Sequence, residues 1–359
     1  MKAVTIKPGQ QNSAGLGDIP TPEPGPGEVR IKTIAVGVDG TDVDINAGLY
    51  GEAPPGEERL IIGHEAVGFV EKTGPDVSEF FEGELVVPTV RRGCKERCPS
   101  CKRLEPDMCL TNNFQERGIK QLQGYMADYF IEKPDNLLKL PPELREVGIL
   151  VEPLSICEKG IGEAFKIQER VVWSPEIALV LGAGNIGLLS TFLLRNKGIK
   201  TYALDIEPED SIKANLVRRV GADYINGRNI DILELPGEIG QPDMIIEATG
   251  YSKNAFEAMQ IIRNDGIVCL LSITTRHEAE EVCGDCVERR LVMGNAAVFG
   301  TVSSNRDHFQ MAIEHMAEIE NKWPDVTHEM ITKRVSLTDF AEALNKTAAD
   351  IKPVVMVAA

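Results

Sequence analysis

The chain predicts an α/β fold in two domains, a β-rich first domain followed by a doubly wound parallel sheet. Three observations carry this expectation. The 359 residues suffice for two cores of ordinary size. Residues 1–36 alternate apolar and polar positions, as in Val29-Arg-Ile-Lys-Thr-Ile-Ala-Val36, around a turn-rich break at Pro20–Gly27. From Pro175 the pattern changes to short continuous apolar runs separated by helical stretches, as strands buried on both faces require.

Composition narrows the function. A formal charge of −17 disfavours nucleic acid and anionic membrane, because either needs a basic patch. No apolar stretch approaches membrane-spanning length, and Met1-Lys-Ala-Val-Thr5 opens on a strand pattern instead of a leader, which points to the cytoplasm. In that compartment the 8 Cys read as thiols or metal ligands before they read as disulfides.

In chain order, Gly37-Val-Asp-Gly-Thr-Asp42 is a polar turn in which Asp39 offers a metal ligand and Thr41 a hydroxyl able to pass a proton. Leu60-Ile-Ile-Gly-His-Glu-Ala-Val-Gly-Phe-Val70 interrupts an apolar run with a tight turn at Gly63 and sets an imidazole, His64, beside a carboxylate, Glu65. Gly83–Pro88 reads as a short buried strand. Cys94-x3-Cys98-x2-Cys101-x7-Cys109 places four thiols so that they can close a tetrahedral shell around Zn²⁺ with no open position, a site that pins a loop and does not catalyse. In Val151-Glu-Pro-Leu-Ser155 the proline biases Glu152 out of the helical region, and a helix is expected from about Leu154 to Ala164. Glu152 would then either aim into a cleft or serve as a charge at the helix start.

The second half is more regular. Ile177–Leu181 delivers Gly182-Ala-Gly184-Asn-Ile-Gly187, and an apolar helix follows. Between a strand and a helix this G-x-G-x-x-G reads as a dinucleotide loop: a tight turn, close approach of a pyrophosphate and close helix–strand packing. The second strand, Lys200–Asp205, ends on an acid placed to bind ribose hydroxyls, and neither Ile206 nor Glu207 supplies a cation for a 2′-phosphate, so NAD is expected over NADP. Further strands are expected within Asp243–Gly250, Gly266–Ser272 and Val298–Val302, with helices near Ala255–Arg263 and Asp307–Asn321. The tail Lys352–Val357 is expected to return to the first domain. Cys283-Gly-Asp-Cys286 lacks partners for zinc and reads as incidental, with a reversible disulfide as the other reading.

The order of these parts resembles the zinc-dependent medium-chain dehydrogenase/reductase (alcohol dehydrogenase-like) superfamily over the full chain. The matching motifs are Gly63-His64-Glu65-x2-Gly68-x5-Gly74, the four-cysteine lobe (with Cys94-x3-Cys98 one residue longer than usual) and Gly182/Gly184/Gly187. Val36–Asp42, Val87–Gly93, Glu116-Arg-Gly-Ile119 with Gly124-Tyr-Met126, and Val151–Leu154 are similar to the archaeal glucose dehydrogenase branch. The resemblance implies a GroES-like catalytic domain over 1–165 with a structural zinc lobe at 91–112, a Rossmann NAD-binding domain over 166–304, and a return to the first domain over 305–359.

It further implies a catalytic zinc held by Asp39, where a cysteine is usual, together with His64 and Glu152, with Glu65 binding directly or through water, and a second zinc held by Cys94, Cys98, Cys101 and Cys109. Thr41 and Glu65 would act in catalysis. Thr41, Glu65, Glu116, Glu152 and Ser303 would meet substrate. Cofactor contacts fall to Gly182, Gly184, Asn185, Ile186, Gly187, Asp205, Thr249, Ile273, Val302 and Ser303. The reaction implied is hydride transfer from a zinc-bound alkoxide of a sugar hydroxyl to NAD, with NADP as the other admissible cofactor, in a homodimer or homotetramer. Two departures stand out: Asp205-Ile-Glu207 lacks the branch's basic residues, and Ser303 replaces an Asn that touches substrate and nicotinamide. A polyol, cyclitol or other secondary-alcohol dehydrogenase is the rival reading, and an NAD-binding homologue without turnover the more distant one.

Overall fold

The structure, a computed structural model, describes residues 1–228, 230–273 and 279–358. The chain divides into two compact units, one of Met1–Ser155, Ser303–Met316 and Thr327–Ala359, the other of Ile156–Val302 and Ala317–Val326.

The first unit is built on a sheet whose centre is the nine-residue strand Val29–Gly37, buried along all but one of its residues. Glu65–Thr73 pairs antiparallel with one edge of it, with Gly37 opposite Glu65. Tyr129–Glu132 and Pro353–Met356 share the other edge, the latter setting Val354 opposite Gly37. The tail therefore returns to this unit as expected, and it brings Lys352 to the end of the strand that carries the site. Leu85–Pro88 and Leu137–Lys139 extend the sheet beyond Glu65–Thr73, and Lys333–Ser336 extends it beyond the tail.

The helix expected from about Leu154 to Ala164 is longer at both ends. The helix begins at Val151 and runs to Gln168, so Glu152 lies inside its first turn and not before it. Pro153 is tolerated there because the first N–H groups of a helix have no intrahelical acceptor to lose. The 3₁₀ turn Gly148–Leu150 leads straight into it, with Val151 already at φ −62°, ψ −41°.

The second unit is a six-stranded parallel sheet. Its strands, in chain order, are Ile177–Leu181, Lys200–Asp205, Asp223–Asn226, Met244–Glu247, Ile267–Leu270 and Ala297–Gly300, and in space they run 3-2-1-4-5-6. That order is the doubly wound arrangement that binds dinucleotides. Leu179, Leu181, Tyr202, Leu204, Ile245 and Val268 pack with Ile261 and Ile262 into one core. The helix Asn185–Asn196 is buried continuously from Gly187 to Leu194, which matches its unbroken apolar reading. Among the described residues no helix is long and apolar enough to cross a membrane. Cys283 and Cys286 form a disulfide, their Cα atoms 5.2 Å apart. They are therefore not incidental thiols: Cys283 caps the helix Gly284–Met293, and its first turn brings Cys286 within bridging distance.

Candidate active site and cofactor loop

Asp39 sits at the N-cap of the short helix Gly40–Asn46. Its carboxylate accepts the Thr41 N–H at 2.8 Å and the Asp42 N–H at 3.2 Å, while the Thr41 hydroxyl donates to it at 3.2 Å. His64 Nε2 lies 3.6 Å from Asp39 Oδ2, and the His64 ring is buried. The turn before it needs Gly63, whose φ is +87°. Asp42, which sequence reasoning did not single out, is wholly buried behind this pair. Its carboxylate accepts the Gly63 N–H at 3.1 Å and stands 4.0 Å from His64 Nδ1.

Glu65 is also buried, and both its oxygens meet Lys352 Nζ, at 2.5 and 2.6 Å. A side chain on Gly37 would forbid this contact: a Cβ there would lie 2.0 Å from Glu65 Oε2. The empty position on the central strand thus lets the Glu65 carboxylate fold across it toward Lys352, the residue that precedes the neighbouring strand Pro353–Met356.

Asp39, His64 and Glu65 offer donor atoms that all lie within 4.8 Å of one another. The Glu152 carboxylate stands outside that radius but within electrostatic reach. Acids outnumber bases in this space. Burial first, and then repulsion from Glu65 and Asp39, pushes the Glu152 carboxyl up to about 8, and burial likewise pushes Asp42 up to about 7. Burial opposes a charge on His64, yet Asp39, Asp42 and Glu152 around it raise its proton affinity well above the ordinary range. Burial works against a charged Asp39 too, but His64 and Lys352 hold its carboxyl well below its usual value. Such a cluster asks for concentrated positive charge, and imidazole with carboxylates is a donor set that fits Zn²⁺.

The four-cysteine lobe fits the same ion in a closed shell. Cys94 and Cys101 sulfurs are 3.7 Å apart, and those of Cys98 and Cys109 4.0 Å. A tetrahedron with Zn–S near 2.3 Å has edges of about 3.8 Å. Close to the lobe, Glu116 is buried in a pair with Arg91, whose Nη2 lies 2.8 Å away and whose guanidinium stacks over Phe114.

In the second unit, Gly182 has φ +96°, and a Cβ on Gly187 would stand 1.8 Å from the Gly182 carbonyl oxygen, whereas one on Gly184 would meet nothing within 4 Å. The loop therefore packs tightly at its two ends and leaves its middle open to a phosphate. Asn185 opens the helix there, and its Oδ1 is buried without a hydrogen-bond partner among the described residues. Asp205 accepts the Ala183 N–H at 2.6 Å and the Glu207 N–H at 3.0 Å, which fixes it against the loop. Thr249 donates to Glu247 through both its N–H and its hydroxyl. Ile273 and Val302 are exposed, and the Val302 carbonyl accepts Lys159 Nζ at 3.0 Å. Ser303 belongs to the first unit and holds φ +60°, a left-handed conformation in which Asn is more at home.

Residues 145–357 match the family described as Glucose dehydrogenase C-terminus, and residues 25–142 match the Alcohol dehydrogenase GroES-like domain. The chain belongs to the glucose dehydrogenase branch of the zinc-dependent medium-chain dehydrogenases. It is 46% identical to a glucose 1-dehydrogenase of Methanocella arvoryzae over the full length of both chains. It is 38% identical to glucose 1-dehydrogenase 1 of Haloterrigena turkmenica, over 98% of this chain and 95% of the relative. Among solved structures, the Haloferax mediterranei glucose dehydrogenase in complex with NADP, Zn and gluconolactone superposes with a TM-score of 0.92 at 33% identity, covering all of both chains. The fold class read from the sequence, a Rossmann-type sheet with a GroES-like domain, stands with these relatives.

Proposed function

We propose that this chain oxidises the C1 hydroxyl of glucose or a closely related aldose to the lactone, with NAD preferred over NADP. The observation that carries the reading is the cluster of half-buried Asp39 with buried His64 and Glu65, in a chain 46% identical to a glucose 1-dehydrogenase. When bound, zinc polarises the reacting hydroxyl as a Lewis acid and the nicotinamide ring accepts the hydride.

The chain's own residues do the rest. Asp39, His64 and Glu152 would hold the catalytic ion, and Glu65, whose oxygens now meet Lys352, would bind it directly or through water. The Thr41 hydroxyl, which donates to Asp39, would turn to accept the proton of the substrate hydroxyl as it gives its own to solvent water. Glu116, fixed by Arg91, accepts a hydrogen bond from a second sugar hydroxyl, and carboxylates suit a neutral polyhydroxylated substrate for that reason. The loop Gly182–Gly187 with Asn185 and Ile186 cradles the pyrophosphate, Asp205 accepts the adenosine ribose hydroxyls, and Thr249, Ile273, Val302 and Ser303 meet the nicotinamide half. The cysteine lobe holds a second zinc. The working form is a cytoplasmic homodimer or homotetramer.

Ser303 favours the rival reading of a polyol or cyclitol substrate, since its short hydroxyl cannot reach as an Asn amide does. Initial rates of NAD⁺ and NADP⁺ reduction by zinc-replete protein, across aldoses, polyols and cyclitols, separate the two. Turnover of glucose is expected; turnover confined to polyols or cyclitols would replace the substrate, and silence across the panel would remove the activity.

A further inference from the structure

The sequence around Asp205 offers no cation for a 2′-phosphate, but the third strand of the parallel sheet does. Asn226, at the end of that strand, pairs with Asp205. The chain then turns at Gly227, whose N–H donates to the Asp205 carbonyl at 2.9 Å. Arg228 follows, and its Nε donates to the Ile206 carbonyl at 2.5 Å. Its guanidinium is thereby fixed one residue beyond the carboxylate assigned to the adenosine ribose. Ile206 itself is 58% exposed, so this rim lies open.

The other arginines in this part of the unit are engaged. Arg218 pairs with the Glu209 carboxylate and also donates to the Glu209 carbonyl. Arg219 donates to the Pro324 carbonyl. Among the described residues the Arg228 guanidinium has no carboxylate partner, and its two Nη groups make no hydrogen bond. An arginine tethered by Nε with its fork free is the group that binds a phosphate dianion in bidentate fashion. The segment it is tied to is well held, because the Glu207 carbonyl accepts both Tyr224 Oη at 2.6 Å and Asn226 Nδ2 at 3.2 Å.

We propose that Arg228 is the 2′-phosphate-binding residue of this chain, reaching the adenosine ribose from the third strand and allowing NADP to bind despite Asp205. This rests on the dinucleotide reading above. Asp205 and Glu207 oppose a phosphate at the same place, so NAD remains the better cofactor, and Arg228 sets how much worse NADP is.

Binding tests this without sugar or turnover. NADPH, NADH and 2′,5′-ADP are titrated into the zinc-replete protein, followed by quenching of its own fluorescence, in wild type, Arg228→Ala, Arg228→Lys and Glu207→Gln. Loss of one bidentate phosphate contact predicts a rise of at least about tenfold in the NADPH and 2′,5′-ADP Kd of R228A, with NADH moving by less than about twofold. R228K retains part of the affinity, and E207Q tightens NADPH alone. A parallel loss of NADH and NADPH in R228A would assign the arginine to the adenine or the loop and overturn the proposal, as would no change in either. A wild type that binds NADH but not NADPH also overturns it while leaving the dinucleotide reading intact. A wild type that binds neither brings down that reading and this proposal together.

Discussion

Glu65, Gly37 and Lys352 form a unit that no local stretch of sequence announces. The carboxylate and the ammonium are 287 positions apart in the chain, and the residue between them matters because it has no side chain. Gly37→Ala is expected to displace Glu65 from Lys352 and cut turnover while the circular dichroism of the folded chain persists; unchanged kinetics would show that Glu65 has another way to sit. Lys352→Met leaves a buried carboxylate unpaired, and urea unfolding is expected to show a loss of about 3–5 kcal/mol. A loss within the noise would mean Glu65 is paired otherwise. His64, Glu65 and Asp39 were legible because ligand-type residues flank glycines in an apolar frame. Lys352 was not, since a lysine at the head of a strand reads as a solvated charge. Asp39 carries a prediction of its own. Its oxygen makes the shell harder than a thiolate would, so Asp39→Cys is expected to retain more zinc after mild chelation; equal retention would contradict this.

At the scale of elements, the glycine loop is the clearest case of pattern becoming structure. Strand, three glycines and helix appear where the spacing put them, and a Cβ at Gly187 would stand 1.8 Å from the Gly182 carbonyl oxygen, which is why the last glycine must stay. Gly187→Ala is expected to weaken NADH binding by more than about tenfold, since the helix start must shift from the phosphate. Undiminished binding would mean the loop relaxes freely. The helix carrying Glu152 shows the opposite: a pre-proline bias was overridden by a 3₁₀ lead-in that local propensity does not reveal.

The strand Tyr129–Glu132 adds a pH dependence. Glu132 is buried against Arg92 and Arg117, at 2.5 and 2.8 Å. Burial raises its carboxyl, but the two guanidiniums win and hold it below the ordinary 4.5. A folded-state pKa below the unfolded one contributes stability that is full above about 4.5 and is lost as pH falls through the folded value. Glu132→Gln is therefore expected to unfold at lower urea at neutral pH, with the gap from wild type closing in acid. A gap that is constant with pH would contradict the assignment.

Taken as a whole, the molecule was most legible where one periodicity repeats. Five of the six parallel strands follow from apolar runs alternating with helices, whereas Asp223–Asn226, short and with no continuous apolar run, was missed, and the strand order 3-2-1-4-5-6 comes from the folded sheet alone. The tail's last apolar run pairs with the central strand of the first unit. What escaped were pairings between distant positions: Lys352 with Glu65, Arg91 with Glu116, and Arg228 beside the segment after Asp205. Each joins residues whose neighbourhood only the folded sheets create, so a reading of adjacent residues finds the acid and misses its cation. Substrate choice belongs to this scale as well, because it depends on groups from several segments acting on one carbon.

The most direct measurement is the fate of the C1 hydrogen. Zinc-replete protein given glucose deuterated at C1, with NAD⁺, is predicted to produce deuterated NADH and the lactone in equal amounts. NADH free of deuterium, formed at a rate the label does not alter, would place the hydride elsewhere on the sugar and contradict the account.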